Sequence, residues 1–108
     1  MANFLFAYHG GKDPDGPEEF ASMMQAWEQW LTQYDKNIVD AGNPVGPNIT
    51  VLSDGSVTKD GGSNPISGYG IFKADSFDEA TIIAKQCPVL LAGGSVEVGQ
   101  IFDVSQLS

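Results

Sequence analysis

Few side chains in this 108-residue sequence can move a proton near neutral pH. It has one histidine, His9, one cysteine, Cys87, and fourteen Asp and Glu against five lysines, with no arginine. His9 ends an alternating segment and precedes Gly10 and Gly11, which would let a ligand approach the backbone. Imidazole titrates near neutrality, so His9 is the best general acid or base on offer, although a lone histidine at a strand end is more often a satisfied or surface residue. Asp40 would orient it if their two strands are neighbours. Trp30 reads as core or, with Gln25 and Tyr69, as the lining of an aromatic pocket for a flat organic ligand, the glutamine and the phenol supplying hydrogen bonds. Glu97 alternates with Val96 and Val98, and it needs a partner if it faces the core.

Several chemistries are set aside. One histidine and one cysteine cannot make a Cys/His metal cluster. No G-x-S-x-G elbow or P-loop is present, and GYGIF, at residues 68–72, lies inside a strand pattern rather than before a helix, so no metal or nucleotide cofactor is implied. The net charge of −9 argues against nucleic acid as a partner, since phosphate affinity comes from clustered Lys and Arg. The acids are spread evenly, seven within residues 1–40 and seven after, so they mark a solvated surface rather than a tail. No apolar run approaches the ~20 residues of a membrane span. The opening MANFLFAYHGG lacks the basic region and cleavage pattern of a signal peptide, and the expectation is a cytoplasmic protein. Cys87, in AKQCP, reads as a small buried hydrophobe.

The elements that would position these groups follow from periodicity. Asn3–His9 alternates Phe4, Phe6 and Tyr8 with Leu5, Ala7 and His9, as in a strand covered on both faces. After GGKDPDGP, with Asp15 or Gly16 as cap and Pro17 in the first turn, a helix is predicted with Phe20, Met23, Met24, Trp27, Leu31 and Tyr34 on one apolar stripe. A short strand at Asn37–Ala41 is halted by AGNPVGP, and a hairpin then turns at Asp54-Gly55. Gly68–Ala74 forms another strand. The capping-box spacing Ser76-Phe77-Asp78-Glu79 starts a second helix that ends near Cys87, because Pro88 disfavours helical geometry in the residue before it. Ser95–Phe102 forms the last strand.

Strand, helix, strand, hairpin, strand, helix, strand makes one α+β domain over residues 1–108, with two helices on one face of a mainly antiparallel sheet. The other face is left apolar, and a second copy covers it most simply, so a homodimer is expected.

The segments FLFAYHGG, VDAGNPVGP, DGGSNPISGYGIFKADSFDEATIIAKQCP and GGSVEVGQIF, in this order and covering nearly the whole chain, resemble the YCII-related domain family, including its DGPF-type branch. The resemblance implies a ferredoxin-like fold that dimerises through its sheets into an α/β barrel. It also implies a small-molecule pocket between helix and sheet in which some members are thought to use a His/Asp pair. Gln25 stands near the position of the YCII branch's histidine, Asp40 is nearest to its aspartate, and DGGSNP at Asp60–Pro65 replaces the DGPF signature. Two readings follow. One is a cofactor-independent enzyme moving protons on a small organic molecule with His9 and Asp40; the other, which Gln25 favours, is a non-catalytic dimeric module that binds a small molecule or a protein.

Overall fold

The computed structural model describes residues 1–106. Its elements are β1 (Ala2–His9), α1 (Pro17–Gln33), β2 (Ile38–Pro44), β3 (Thr50–Val51), β4 (Val57–Thr58), β5 (Ile66–Ala74), α2 (Phe77–Ala84) and β6 (Ser95–Ile101). Short 3-10 turns lie at Asp35–Asn37, Pro88–Ala92 and Val104–Gln106. β2, β5, β1 and β6 form one antiparallel sheet in that order, and β3 pairs with β4 in a separate ribbon. Both helices pack on one face, giving the α+β arrangement that the element order predicts, in the ferredoxin-like form that the resemblance implies.

Alternation along β1 decides what each face carries. Phe4, Phe6 and Tyr8 are buried, and with Phe72 from β5, Trp30 from α1 and Ile83 from α2 they make the core. Phe6 stacks on Phe72 with ring centroids 4.5 Å apart, while Trp30 meets Phe72 at 5.1 Å and Trp27 at 5.6 Å. Gly70 is part of this packing: a Cβ there would lie 2.9 Å from the Phe72 ring and 3.1 Å from Tyr8 Oη. Opposite Phe6 and Tyr8 stand Val98 and Val96, so Glu97 projects to the other side of the sheet, with Ala7 as its cross-strand neighbour.

The apolar stripe of α1 is displaced from the predicted one. Phe20 and Met24 are half exposed, whereas Trp27, Trp30, Leu31 and Tyr34, spaced three and four apart, pack on the core. Only the C-terminal half of α1 buries its apolar side. No side chain caps its N-terminus at Gly16, and Asp15 instead accepts a bond from Lys12 Nζ at 3.0 Å. At α2 the predicted capping box is half formed. Ser76 Oγ accepts from the Glu79 backbone N–H at 3.2 Å, but the Glu79 carboxylate takes the Asn37 amide at 3.3 Å rather than returning to Ser76.

Two boundaries differ from expectation. β2 runs through Gly42 to Pro44 because irregular pairing with β5 absorbs the glycine, where φ is +78°. In the ribbon, Leu52 N–H donates to the Ser56 carbonyl at 2.8 Å, so the turn encloses Ser53–Gly55 rather than two residues. The Asp54 carboxylate takes the Ser56 N–H and O–H, which lowers its pKa.

The molecule is a flat slab of 48 × 37 × 18 Å. Its radius of gyration, 15.4 Å, exceeds the about 13 Å of a compact chain of this length. Its accessible surface, 7401 Å², exceeds the about 5,800 Å² expected for a compact monomer of 11.5 kDa. The face without helices and the β3–β4 ribbon, an arm that pairs apart from the main sheet and is inserted between β2 and β5, belong to this excess.

Candidate functional site

His9 is the last residue of β1 and lies on the face without helices. It is 7% exposed, the one polar side chain among the buried residues described. Its Nδ1 lies 3.0 Å from the Asn64 carbonyl oxygen and 3.3 Å from that of Pro65, just before β5. A carbonyl only accepts, so Nδ1 carries a proton. Nε2 lies 3.0 Å from Glu97 Oε1, one cross-strand diagonal away on β6. One ring nitrogen is thus anchored to backbone and the other faces a carboxylate. Glu97 is 73% exposed along its side chain, so its carboxylate is free to swing into solvent and uncover Nε2.

The local sequence explains why the ring sits here. Gly10 and Gly11, both at positive φ, turn the chain away at the end of β1. Gly94 passes close beneath: a Cβ on it would lie 2.6 Å from the His9 carbonyl and 2.7 Å from Val89. That close approach starts β6 at Ser95, opposite His9, and sets Glu97 two residues further on.

Of the residues singled out in the sequence, the structure brings His9 and Tyr69 to the same face. Tyr69 is half-buried on β5 beside Ala7. Asp40 is not brought to His9, because β5 lies between β1 and β2 and both ring nitrogens have other partners. Asp40 Oδ1 instead accepts the Gly42 N–H at 2.8 Å and fixes the turn inside β2. Trp30 is 3% exposed and donates from Nε1 to the Ile83 carbonyl at 3.0 Å, so it joins the two helices rather than lining a pocket. Gln25 is exposed on the solvent side of α1, in a shallow depression with Glu28, Gln29 and Thr32. The groove between helix and sheet is lined by Phe77, Thr81, Lys85, Leu90, Val96 and Val98, none of them a predicted site residue. Sequence reasoning notices Glu97 but does not join it to His9. The signal is there: on the last strand only Glu97, flanked by two valines, carries charge.

Among the described residues no three His, Cys, Asp or Glu side chains converge as a metal site, and no helix is long and apolar enough to cross a membrane.

A second polar feature lies inside the core. The Tyr8 hydroxyl is buried without a hydrogen-bond partner. The Cys87 thiol lies close enough to act on it electrostatically. Burial, with that thiol as a lesser cause, drives the Tyr8 hydroxyl far above the ordinary phenol range, and burial pushes Cys87 up to about 11. Cys87 is therefore a thiol, not a nucleophile. Both acids hold their protons more tightly folded than unfolded, so their effect on stability is absent below about pH 9 and becomes destabilising as pH rises through the unfolded value of the thiol. We expect the urea midpoint to fall between pH 9 and 11, with Cys87 accounting for about 2 kcal/mol. In Cys87→Ala the fall should be shallower; an identical slope would remove the thiol from this account.

The comparisons with known proteins bear on the fold. No family model matches the chain, and no curated protein matches it in sequence. Among solved structures, 5-chloro-2-hydroxyhydroquinone dehydrochlorinase from Burkholderia phenoliruptrix, in complex with 2,5-dihydroxybenzoquinone, superposes with a TM-score of 0.55 at 19% identity, over 94% of this chain and 97% of that one. The two chains share the ferredoxin-like fold along almost their whole length.

Proposed function

We propose that the protein binds a small, flat organic molecule on the helix-free face of its sheet and exchanges a proton with it through His9 Nε2. The observation that carries this reading is the buried imidazole whose Nδ1 is fixed by the Asn64 carbonyl and whose Nε2 meets an exposed carboxylate. In this scheme Asn64 orients the ring. Glu97 takes the partner role that the sequence suggests for Asp40: its carboxylate accepts from Nε2–H when no ligand is present and moves aside when one binds. Nε2–H then donates to a developing oxyanion or leaving group, and the bare nitrogen takes the proton back. Tyr69, half-buried on the same face, supplies an aromatic wall and a hydroxyl. Membership of the YCII-related family, with a second copy covering the face, fits this arrangement, and the surface in excess of a compact monomer supports the pairing. The shared fold with an enzyme whose structure holds a dihydroxybenzoquinone supports the ligand class.

A quinone of that kind is the probe to use. Titration of the 15N-labelled protein with 2,5-dihydroxybenzoquinone should shift the His9, Tyr69 and Glu97 signals, and His9→Gln should weaken binding at least tenfold. Shifts confined to α1 or to the groove beside α2 would sink the site. The second reading, a binding module without chemistry, is favoured by one fact: both His9 nitrogens are already engaged. It expects the same shifts with His9→Gln binding as tightly as the parent.

A further inference from the structure

We infer that the β3–β4 arm of one protomer lies across the helix-free sheet face of a second copy and closes that copy's His9–Glu97 site with its apolar side chains. The inference rests on the pairing of two copies proposed above and adds what completes the site. The arm pairs only within itself, as a separate ribbon. A ribbon with two residues per strand is only marginally stable in water, so a cover over its apolar side chains would stabilise it. Its apolar side chains lie bare: Ile49 is 67% exposed and Val51 65%, with Leu52 and Val57 close behind. Thr50 and Thr58 turn inward at its base, their hydroxyls both bonding the Asp60 carbonyl. The opposing surface offers apolar side chains as well, since Leu5, Ile66 and Ile101 are each about two-fifths exposed, between Asn3, Lys73 and Glu97.

Area identifies the occupant. The protomer exposes about 1,600 Å² more than a compact chain of its mass, by the usual size scaling. A standard interface takes about 800 Å² from each partner. Contact between two flat faces therefore accounts for about half the excess and leaves the arm bare, whereas an arm laid on the partner uses the rest. The arm's root fixes where it starts. Asn64 and Pro65, the residues that hold His9 Nδ1, close the arm where it enters β5, so each arm departs beside its own site and, across a two-fold axis, reaches toward the other. A site walled by Leu5, Tyr69 and an incoming Val51 excludes water from the His9–Glu97 pair.

The test places a nitroxide at the arm's tip through Ser56→Cys, an exposed position that closes the turn; Cys87 is buried and stays unlabelled. The spin-labelled protein is mixed with unlabelled-tip, 15N-labelled protein, so that only contacts between copies broaden signals. The expected result is a dimer by light scattering with broadening at Leu5, Ile71 and Glu97. A dimer whose helix-free face is not broadened overturns the arm's placement and leaves the pairing standing. A monomer overturns both, with quinone binding at His9 then read separately.

Discussion

Trp30→Ala should cost about 4 kcal/mol of stability, within the range for emptying a large aromatic from a core. The sequence leaves Trp30 between core and pocket, and the structure places it where both helices and the sheet meet. Its ring touches those of Phe6, Tyr8, Trp27 and Phe72, and its N–H reaches α2. Removing it leaves a void between elements that no small shift can close. The lost hydrogen bond is the lesser part, because the Ile83 carbonyl still accepts the Gln86 N–H at 3.2 Å. Trp30→Phe separates the two effects: it keeps an aromatic ring, forfeits the N–H and should cost about 1–2 kcal/mol. A small domain has a total stability on the order of twice the alanine penalty, so the alanine variant should lose about half of it and melt well below the parent while staying folded at about 25 °C. Urea titrations of both variants decide the matter, and a loss below about 1 kcal/mol for Trp30→Ala would return the residue to a pocket wall.

Most of the fold is legible because each element carries a local signature. Phe4, Phe6 and Tyr8 declare a strand face by alternation, Pro17 marks the first turn of α1, and Ser76 opens α2 with the bond its spacing requires. The site is less legible because it depends on strand order. His9 and Glu97 are 88 residues apart, and they meet only because β6, rather than β2, lies beside β1. The alternation of Val96, Glu97 and Val98 shows that the acid and the valines face opposite ways without showing which way is in. Helix periodicity has a similar limit. It identifies an apolar side of α1 but not the length over which the sheet underlies it, so it assigns Phe20 and Met24 to a core they do not reach. For the ring partner of His9 the sequence points to Asp40, the nearer acid in the resemblance, whose carboxylate is in fact occupied with its own turn.

Gly42→Ala should be the most damaging small substitution in the chain, with a loss of at least about 3 kcal/mol. Two independent costs add at this position. The backbone is held at φ +78°, where an L-residue with a Cβ is strained by about 1–2 kcal/mol. In addition, the new Cβ would overlap the Tyr69 carbonyl and press on the Gly70 Cα, both of them backbone of a central strand that cannot move without disturbing Phe72 and the core. Gly55→Ala isolates the first cost, since φ there is +89° and nothing lies within 4 Å of where its Cβ would stand; about 1–2 kcal/mol is expected, at the arm's tip and without effect on the sheet. The difference between the two variants in urea measures the steric part, and equal losses would show that β2 yields at Gly42. Asp40 gives the matching chemical test. Its Oδ1 holds the Gly42 N–H, a task an amide oxygen performs as well, so Asp40→Asn should leave both stability and quinone binding unchanged while Asp40→Ala loses about 1 kcal/mol. Glu97→Gln, by contrast, removes the charge facing Nε2 and should change quinone binding. If instead Asp40→Asn changed binding and Glu97→Gln did not, the proton partner of His9 would be the aspartate and the site would have to form in a different arrangement of β2.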